Sequence, residues 1–515
     1  MKKLILLVID AFASRVFVPA LKRGELPNLQ ALVELGQLNT NCIGIFPTLT
    51  PAATSSIVTG YYPQHHHVLG FHWYDIEHDT VVYYGDDFWV IWREGFGEFF
   101  EDFLNKLNHK RLQVPTLFQL AEQRGLKAGV LNYLIFRGNV KHEAQVPLAF
   151  SWIPSIPTSE KVLGPTVMYF GDFVDTEIKK LDDTLYRTGG PFHRFGFDDE
   201  NTGNLLVQLA KQRAFPGLTV AYFPDNDFHS HEVGPARAVS SLQDVDTHLG
   251  QLFALFGGVE AFLNEFSLVI TGDHSQTDVV SGNREARIEL DRILDDFAIA
   301  DPGRPWRKND EIIICPDMRA AQIYFNRLEP RRFNDAIEAL MQDTRVDQVI
   351  WRANDLDSNE TGYKVVTRDR GRLHFWPGQD SPNSGLDQFG GRWSWRGSLA
   401  VFDGQVKPNN ELVFPTYPNA FERVKGGLDC RNSGHLWVTA QPGHEFALSE
   451  TSVHVGGGSH GSLHAGDSLS PLIVAGAPKP VHLPDHVRTV DVTPLCLNLL
   501  GLEFAYPIGA SRVTN

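Results

Sequence analysis

MKKLILLVIDAF, Met1 to Phe12, admits two readings, and the choice between them sets the fold. Two lysines ahead of an apolar run have the outline of a signal peptide, yet Leu4–Ile9 is only six residues long and runs straight into Asp10 with no cleavage-like segment. The stretch is therefore read as a buried β-strand, Lys3 to Ile9, that ends on a carboxylate. No apolar segment approaches the ~20 residues of a membrane span, so no membrane association is expected. The four cysteines, Cys42, Cys315, Cys430 and Cys496, are scattered without paired spacing. That usage fits reduced thiols in a cytoplasmic protein better than a disulfide framework or a zinc–thiolate site.

Outward from this strand, short apolar runs alternate with amphipathic helices, the pattern of a parallel sheet covered on both faces. Strands are predicted at 3–9, 37–45, 128–134, 218–223, 268–271 and 472–475. Helices are predicted at 28–35, 51–59, 116–124, 201–213, 236–256 and 489–500, the last closed by Gly501. Two regions break the alternation. Residues 73–112 are rich in aromatic and acidic side chains, including Trp73, Tyr74, Phe88, Trp89 and Trp92, and read as an aromatic flap or a surface excursion. From about 285 to 433 the pattern changes to a helix at 331–342 and strand-like runs at 346–351, 363–367 and 372–375, as in a small α+β cap inserted into the main domain. The expected organisation is thus a catalytic α/β domain from 1–284 and 434–515, with the cap at 285–433.

At 515 residues the chain is too long for one simple core, and its composition, 42% hydrophobic and 21% charged, is globular. A formal charge of -16 argues against nucleic-acid binding, which depends on clustered Lys and Arg. Small anionic substrates remain compatible if metal ions supply local positive charge. Oligomeric state is not legible.

The hydroxyl-rich stretch IFPTLTPAATSSIVTG, Ile45 to Gly60, follows the second predicted strand. Pro51 suits the first position of a helix, Thr50 then falls at the N-cap, and Gly60 closes the helix. A hydroxyl at that place also faces free N–H groups and the positive end of the helix dipole, where phosphate binds well. Capping and nucleophilic roles stay open on local grounds. Four polar clusters follow predicted strands, where open α/β sheets place their ligand sites: Asp10, Asp227 with His231, Asp273 with His274, and His460 in the Gly-rich GGGSHGSLH. Singly, each is as well explained by a turn, a cap or a surface histidine. Together, carboxylates and imidazoles are the donors of divalent metals such as zinc.

The ordered set resembles the alkaline phosphatase superfamily, specifically its type I phosphodiesterase and nucleotide pyrophosphatase branch. The matching features are a strand ending in Asp10; Thr50 with Val58-Thr59-Gly60 beyond it; Asp227, His231 and Gly234-Pro235; the Asp273-His274 pair; His460-Gly461; and the tail RTVDVTPLCLNLLG. They cover residues 1 to about 280 and 433–515. The resemblance implies an alkaline-phosphatase-like three-layer sandwich with a mainly parallel central sheet and an inserted α+β cap. It also implies two divalent ions, with zinc favoured and manganese the alternative. One would be held by Asp227, His231 and His460, the other by Asp10, Asp273, His274 and the Thr50 hydroxyl. Asp225, His229 and His464 compete for three of these places, and spacing favours the choices made. His65–His67 is assigned a structural or substrate-adjacent role.

Two divalent ions against three aspartates leave an electropositive pocket in an acidic protein. A hydroxyl on such an ion ionises far more readily than a free one, so Thr50 is expected to attack phosphorus and form a phospho-threonine intermediate. The substrate class implied is a small phosphorylated molecule, a phosphodiester or nucleotide pyrophosphate. The alternatives are a phosphonate C–P hydrolase, a phosphomonoesterase, a phosphotransferase or mutase, and a non-catalytic metal-binding protein. Ala53 stands where many relatives carry an Asn that donates to the phosphoryl group, and backbone N–H groups of the helix start could replace it. The Thr-Pro-Ala-Ala-Thr run at 50–54 lacks the sulfatase pattern, which disfavours sulfate esters.

Overall fold

Successive residues of the first strand point into two different cores. Leu4, Leu6 and Val8 join one hydrophobic cluster, and Ile5, Leu7 and Ile9 join another on the opposite face. Strand side chains alternate with period two, so an unbroken apolar run is what a strand covered on both faces requires. The structure, a computed structural model, describes residues 2–84, 102–145, 159–176 and 194–502.

Nine strands form the main sheet: β1 (Lys3–Ile9), β2 (Gln37–Ile43), β3 (Ala128–Leu131), β4 (Val167–Phe170), β5 (Val174–Thr176), β6 (Leu218–Phe223), β7 (Phe266–Thr271), β8 (Leu469–Ala475) and β9 (Val487–Arg488). Their order is β9-β2-β8-β7-β1-β6-β3-β4-β5. The run β7-β1-β6-β3-β4 is parallel, whereas β8 is antiparallel to both of its neighbours. All six predicted strands are present. The three unpredicted ones are short edge or near-edge pieces, too brief to show a period.

One face is covered by helices that include Ser14–Lys22, Pro27–Leu35, Asp199–Lys211 and Val239–Ala254. The other carries α1 (Thr50–Thr59), Leu117–Gln123 and Val492–Leu499, together with a second sheet. The chain is therefore layered helix, sheet, helix, as the mixed α/β reading requires. Gly60 ends α1 at φ 76, its N–H bonded to Ser56 O at 2.9 Å. A second helix at the site, α2 (Asp225–Val233), was not predicted, because its buried face is Asn226, Asp227 and Ser230 and it has no apolar stripe to detect.

The second sheet has ten strands between Ile312 and Ala440. Its helix Pro330–Gln342 and strands Val346–Arg352, Tyr363–Thr367 and Gly371–Pro377 fall where the cap was expected. It also takes Leu436–Ala440, beyond the boundary read at 433, and pairs it between Ala320–Phe325 and Val346–Arg352. Trp437 on that strand packs on Phe46, with ring centroids 5.0 Å apart, so the inserted sheet shares a core with the segment leading into α1. Part of the expected flap is core as well. Trp73 and Tyr74 lie in the hairpin His72–Asp75/Thr80–Tyr83, and Tyr74 packs against Trp306 and Tyr324. Phe88, Trp89 and Trp92 fall outside the described residues.

Candidate metal centre

The topology explains why residues far apart in the chain meet. β7, β1 and β6 are adjacent and parallel, so their carboxyl ends lie side by side. Asp273 and His274 follow β7, Asp10 follows β1, and α2 with Asp227 and His231 follows β6. β8 runs the other way, so the loop that enters it, carrying His460, starts at that same end. β2 is antiparallel to β8 in turn, and its exit leads into α1 and Thr50.

The seven predicted side chains converge. Thr50 Oγ1 lies 3.1 Å from His274 Nε2. That nitrogen is 3.4 Å from Asp10 Oδ1 and 3.6 Å from Asp273 Oδ2. Asp227 Oδ2 is 3.3 Å from His231 Nε2, and its Oδ1 is 3.8 Å from His460 Nε2. The His274 and His460 rings stack at 3.7 Å. Two groups have ligand atoms all within 4.8 Å of one another, Asp10 with Asp273 and His274, and Asp227 with His274 and His460.

The rejected neighbours are engaged elsewhere. Asp225 pairs with Arg194 and accepts from Asp199 N, His229 meets Ser241, and His464 Nδ1 accepts from Gly466 N. His66 is buried against Ser56 and accepts from Val68 N at Nδ1, a structural role. Thr50 departs from one expectation: its side chain makes no capping bond, and the residue preceding α1 is Leu49. The hydroxyl faces His274 instead.

The electrostatics favour cations. Burial, then the charges of Asp273 and Asp227, push the Asp10 carboxyl well above its ordinary range, and burial raises Asp273. Burial would also raise Asp227, but His231, His460 and His274 outweigh it and hold that carboxyl far down. Conversely, burial would lower His231, and Asp227 overrides it to push the imidazole up to about 9. Four buried atoms at this spot have no hydrogen-bond partner: Asp10 Oδ1, Asp273 Oδ2, His231 Nε2 and His460 Nε2. Orphaned donor atoms are costly in a buried place unless something occupies the space between them. His231 Nδ1 donates to Gly458 O at 2.8 Å and His460 Nδ1 to Thr48 O at 2.6 Å. Each bond orients its ring with Nε2 turned to the cluster, the usual arrangement behind a metal. The donor set of carboxylates and imidazoles fits divalent ions.

Several supporting residues carried no sequence signal strong enough to single them out. The Tyr222 hydroxyl donates to Asp10 Oδ2, Asn226 Nδ2 donates to the Asp10 and Ala11 carbonyls at 2.7 and 3.0 Å, and Gln276 Nε2 donates to Asp227 Oδ1. The glycines of GGGSHG have a reason too. A Cβ on Gly457 would fall 1.7 Å from His231 O, so the loop bearing His460 can lie against α2 only without a side chain there.

Buried carboxylate–imidazole clusters at the carboxyl ends of a parallel sheet, beside a hydroxyl at a helix start, define a metal-dependent α/β hydrolase. The model of the type I phosphodiesterase / nucleotide pyrophosphatase family matches residues 4–463, and the chain belongs to that family. No curated protein matches the chain. Among the described residues no helix is long and apolar enough to cross a membrane.

Proposed function

We propose that the protein hydrolyses phosphoric diesters or nucleotide pyrophosphates with Thr50 as the covalent nucleophile and two divalent ions, zinc favoured, at the cluster. Asp10, Asp273, His274 and the Thr50 hydroxyl would hold one ion, and Asp227, His231 and His460 the other. The observation that carries the reading is the Thr50 Oγ1–His274 Nε2 approach of 3.1 Å inside a buried carboxylate–imidazole cluster. When bound, the ions supply Lewis acidity, favouring the ionised hydroxyl and neutralising charge that develops on the phosphoryl and leaving oxygens.

The chain's own groups do the rest. Thr50 Oγ1 bonds to phosphorus as the ester bond to the leaving oxygen breaks, and water then cleaves the Thr50–phosphate bond, returning the hydroxyl and releasing the second product. The N–H groups of Thr50 and Ala52 at the start of α1 have no protein acceptor among the described residues, while that of Ala53 is taken by Leu49 O at 2.8 Å. These two N–H groups, with the helix dipole behind them, replace the donor that Ala53 lacks. Tyr222 and Gln276 orient Asp10 and Asp227. The scattered and buried Cys42, Cys315, Cys430 and Cys496 fit a cytoplasmic setting.

The test is Thr50→Ala, assayed on bis-nitrophenyl phosphate with metal content measured alongside. We expect both ions retained and the rate lowered by about a thousandfold or more, with Thr50→Ser partly active. A folded, metal-replete Thr50→Ala protein as fast as the parent would refute the nucleophile. A panel of diester, monoester and phosphonate substrates separates the reaction classes.

A further inference from the structure

The two proposed ligand sets differ in charge. Asp10, Asp273 and His274 bring two carboxylates to one ion, whereas Asp227, His231 and His460 bring only one to the other. A buried carboxylate stands directly behind the poorer set. Glu445 is 1% exposed and lies on the strand Glu445–Ala447. Its oxygens accept from His454 N at 2.6 Å, His454 Nδ1 at 2.8 Å and Ser459 Oγ at 2.5 Å, and Ser459 directly precedes His460. Burial would raise this carboxyl, but His454 and Ser459 outweigh it and hold it below its ordinary range, so it is charged. The bond to Glu445 fixes the His454 ring, which packs tilted against His231, centroids 4.0 Å apart and planes at 31°. His231 in turn is edged by Gly458 O.

We propose that Glu445 and His454 form a positioning pair for the ion held by Asp227, His231 and His460. Glu445 supplies the negative charge that this set lacks, and the clamped His454 ring sets the plane in which His231 presents Nε2. Partners behind the ligands tune metal sites in this way, and losing one typically weakens affinity 10–100-fold. The inference rests on the two-ion reading of the cluster and deepens it.

The experiment is competitive chelator titration of the zinc-loaded full chain, parent against Glu445→Gln and His454→Ala. Thermal melts of the metal-free proteins and the visible spectrum of cobalt-substituted samples accompany it. In both variants one of the two ions should bind 10–100-fold more weakly while the other keeps its parental affinity, and the cobalt spectrum should change for one site only. A variant with both ions at parental affinity overturns the proposal. So does equal weakening of both ions together with a lowered metal-free melt, which would make the pair a structural brace. His454→Asn keeps a donor toward Glu445 without the ring: parental affinity there would remove His454's share and leave the charge of Glu445 as the whole effect, overturning the pair. A parent protein that binds one ion or none would instead defeat the two-ion reading itself.

Discussion

Replacing Asp10 by Asn should stabilise the metal-free protein and destabilise the metal-loaded one. Asp10 and Asp273 have ligand atoms within 4.8 Å of each other, with side chains essentially sealed from solvent. At an effective dielectric of ~20 that repulsion is worth about 3.5 kcal/mol. Without ions, burial and then the charges of Asp273 and Asp227 push the Asp10 carboxyl well above its ordinary 3.8. Between 3.8 and that raised value the native state keeps a proton that the unfolded chain releases, so metal-free stability falls as pH rises through the window. Asn removes that repulsion but accepts the Tyr222 hydroxyl less strongly, a loss of about 1–2 kcal/mol. The net gain is about 2 kcal/mol. With an unfolding entropy near 2 cal/mol/K per residue over 515 residues, the melting temperature of the chelated protein should rise by about 2 °C. Saturating zinc reverses the order, because only the parent gains the full binding free energy. The assay is calorimetry from pH 5 to 9, with chelator and with zinc. A lower melting temperature for the variant in both states, or an unchanged pH slope without metal, would refute the electrostatic account.

Other consequences are open to measurement. Burial pushes His72 down to about 4 from its ordinary 6.5, so the unfolded chain takes up a proton in that window that the native state refuses. Stability should therefore fall by about 3 kcal/mol as pH drops from 6.5 to 4, and His72→Gln should flatten acid denaturation curves. Gly461 follows His460 at φ +124, and a Cβ there would meet Asp317 O at 2.9 Å. Gly461→Ala should cost about 1–3 kcal/mol in urea titrations and weaken zinc retention by displacing His460. Gln276→Leu deprives the Asp227 carboxylate of its donor and should lower affinity for one ion by about 10–100-fold in chelator competition.

The layers of this fold were legible because the central strands are dominated by short apolar runs, which are stable between two covering layers. Lys3–Ile9 needed no context to be read that way. The proposed ligand residues stood out for a different reason, since their spacing after those strands matches a family pattern and the parallel order carries each strand end to one edge. Asp227 and His231 could be singled out although the helix bearing them has no apolar period, because identity and spacing survive where amphipathicity does not. The strand Leu436–Ala440, beyond the boundary read at 433, belongs to the second sheet because it pairs with strands about a hundred residues earlier, and such partners leave no local mark.

The one-dimensional order thus determined which side chains were available for chemistry and the kind of layers that would hold them. Only the tertiary structure decided that the Thr50 hydroxyl faces His274 rather than capping its own helix. The same holds for Tyr222 and Gln276 standing behind the carboxylates, and for Glu445 and His454 backing a single histidine. Hydrogen bonds and ring contacts depend on distance in space, and residues two hundred positions apart acquire a distance only when the strands that carry them pair.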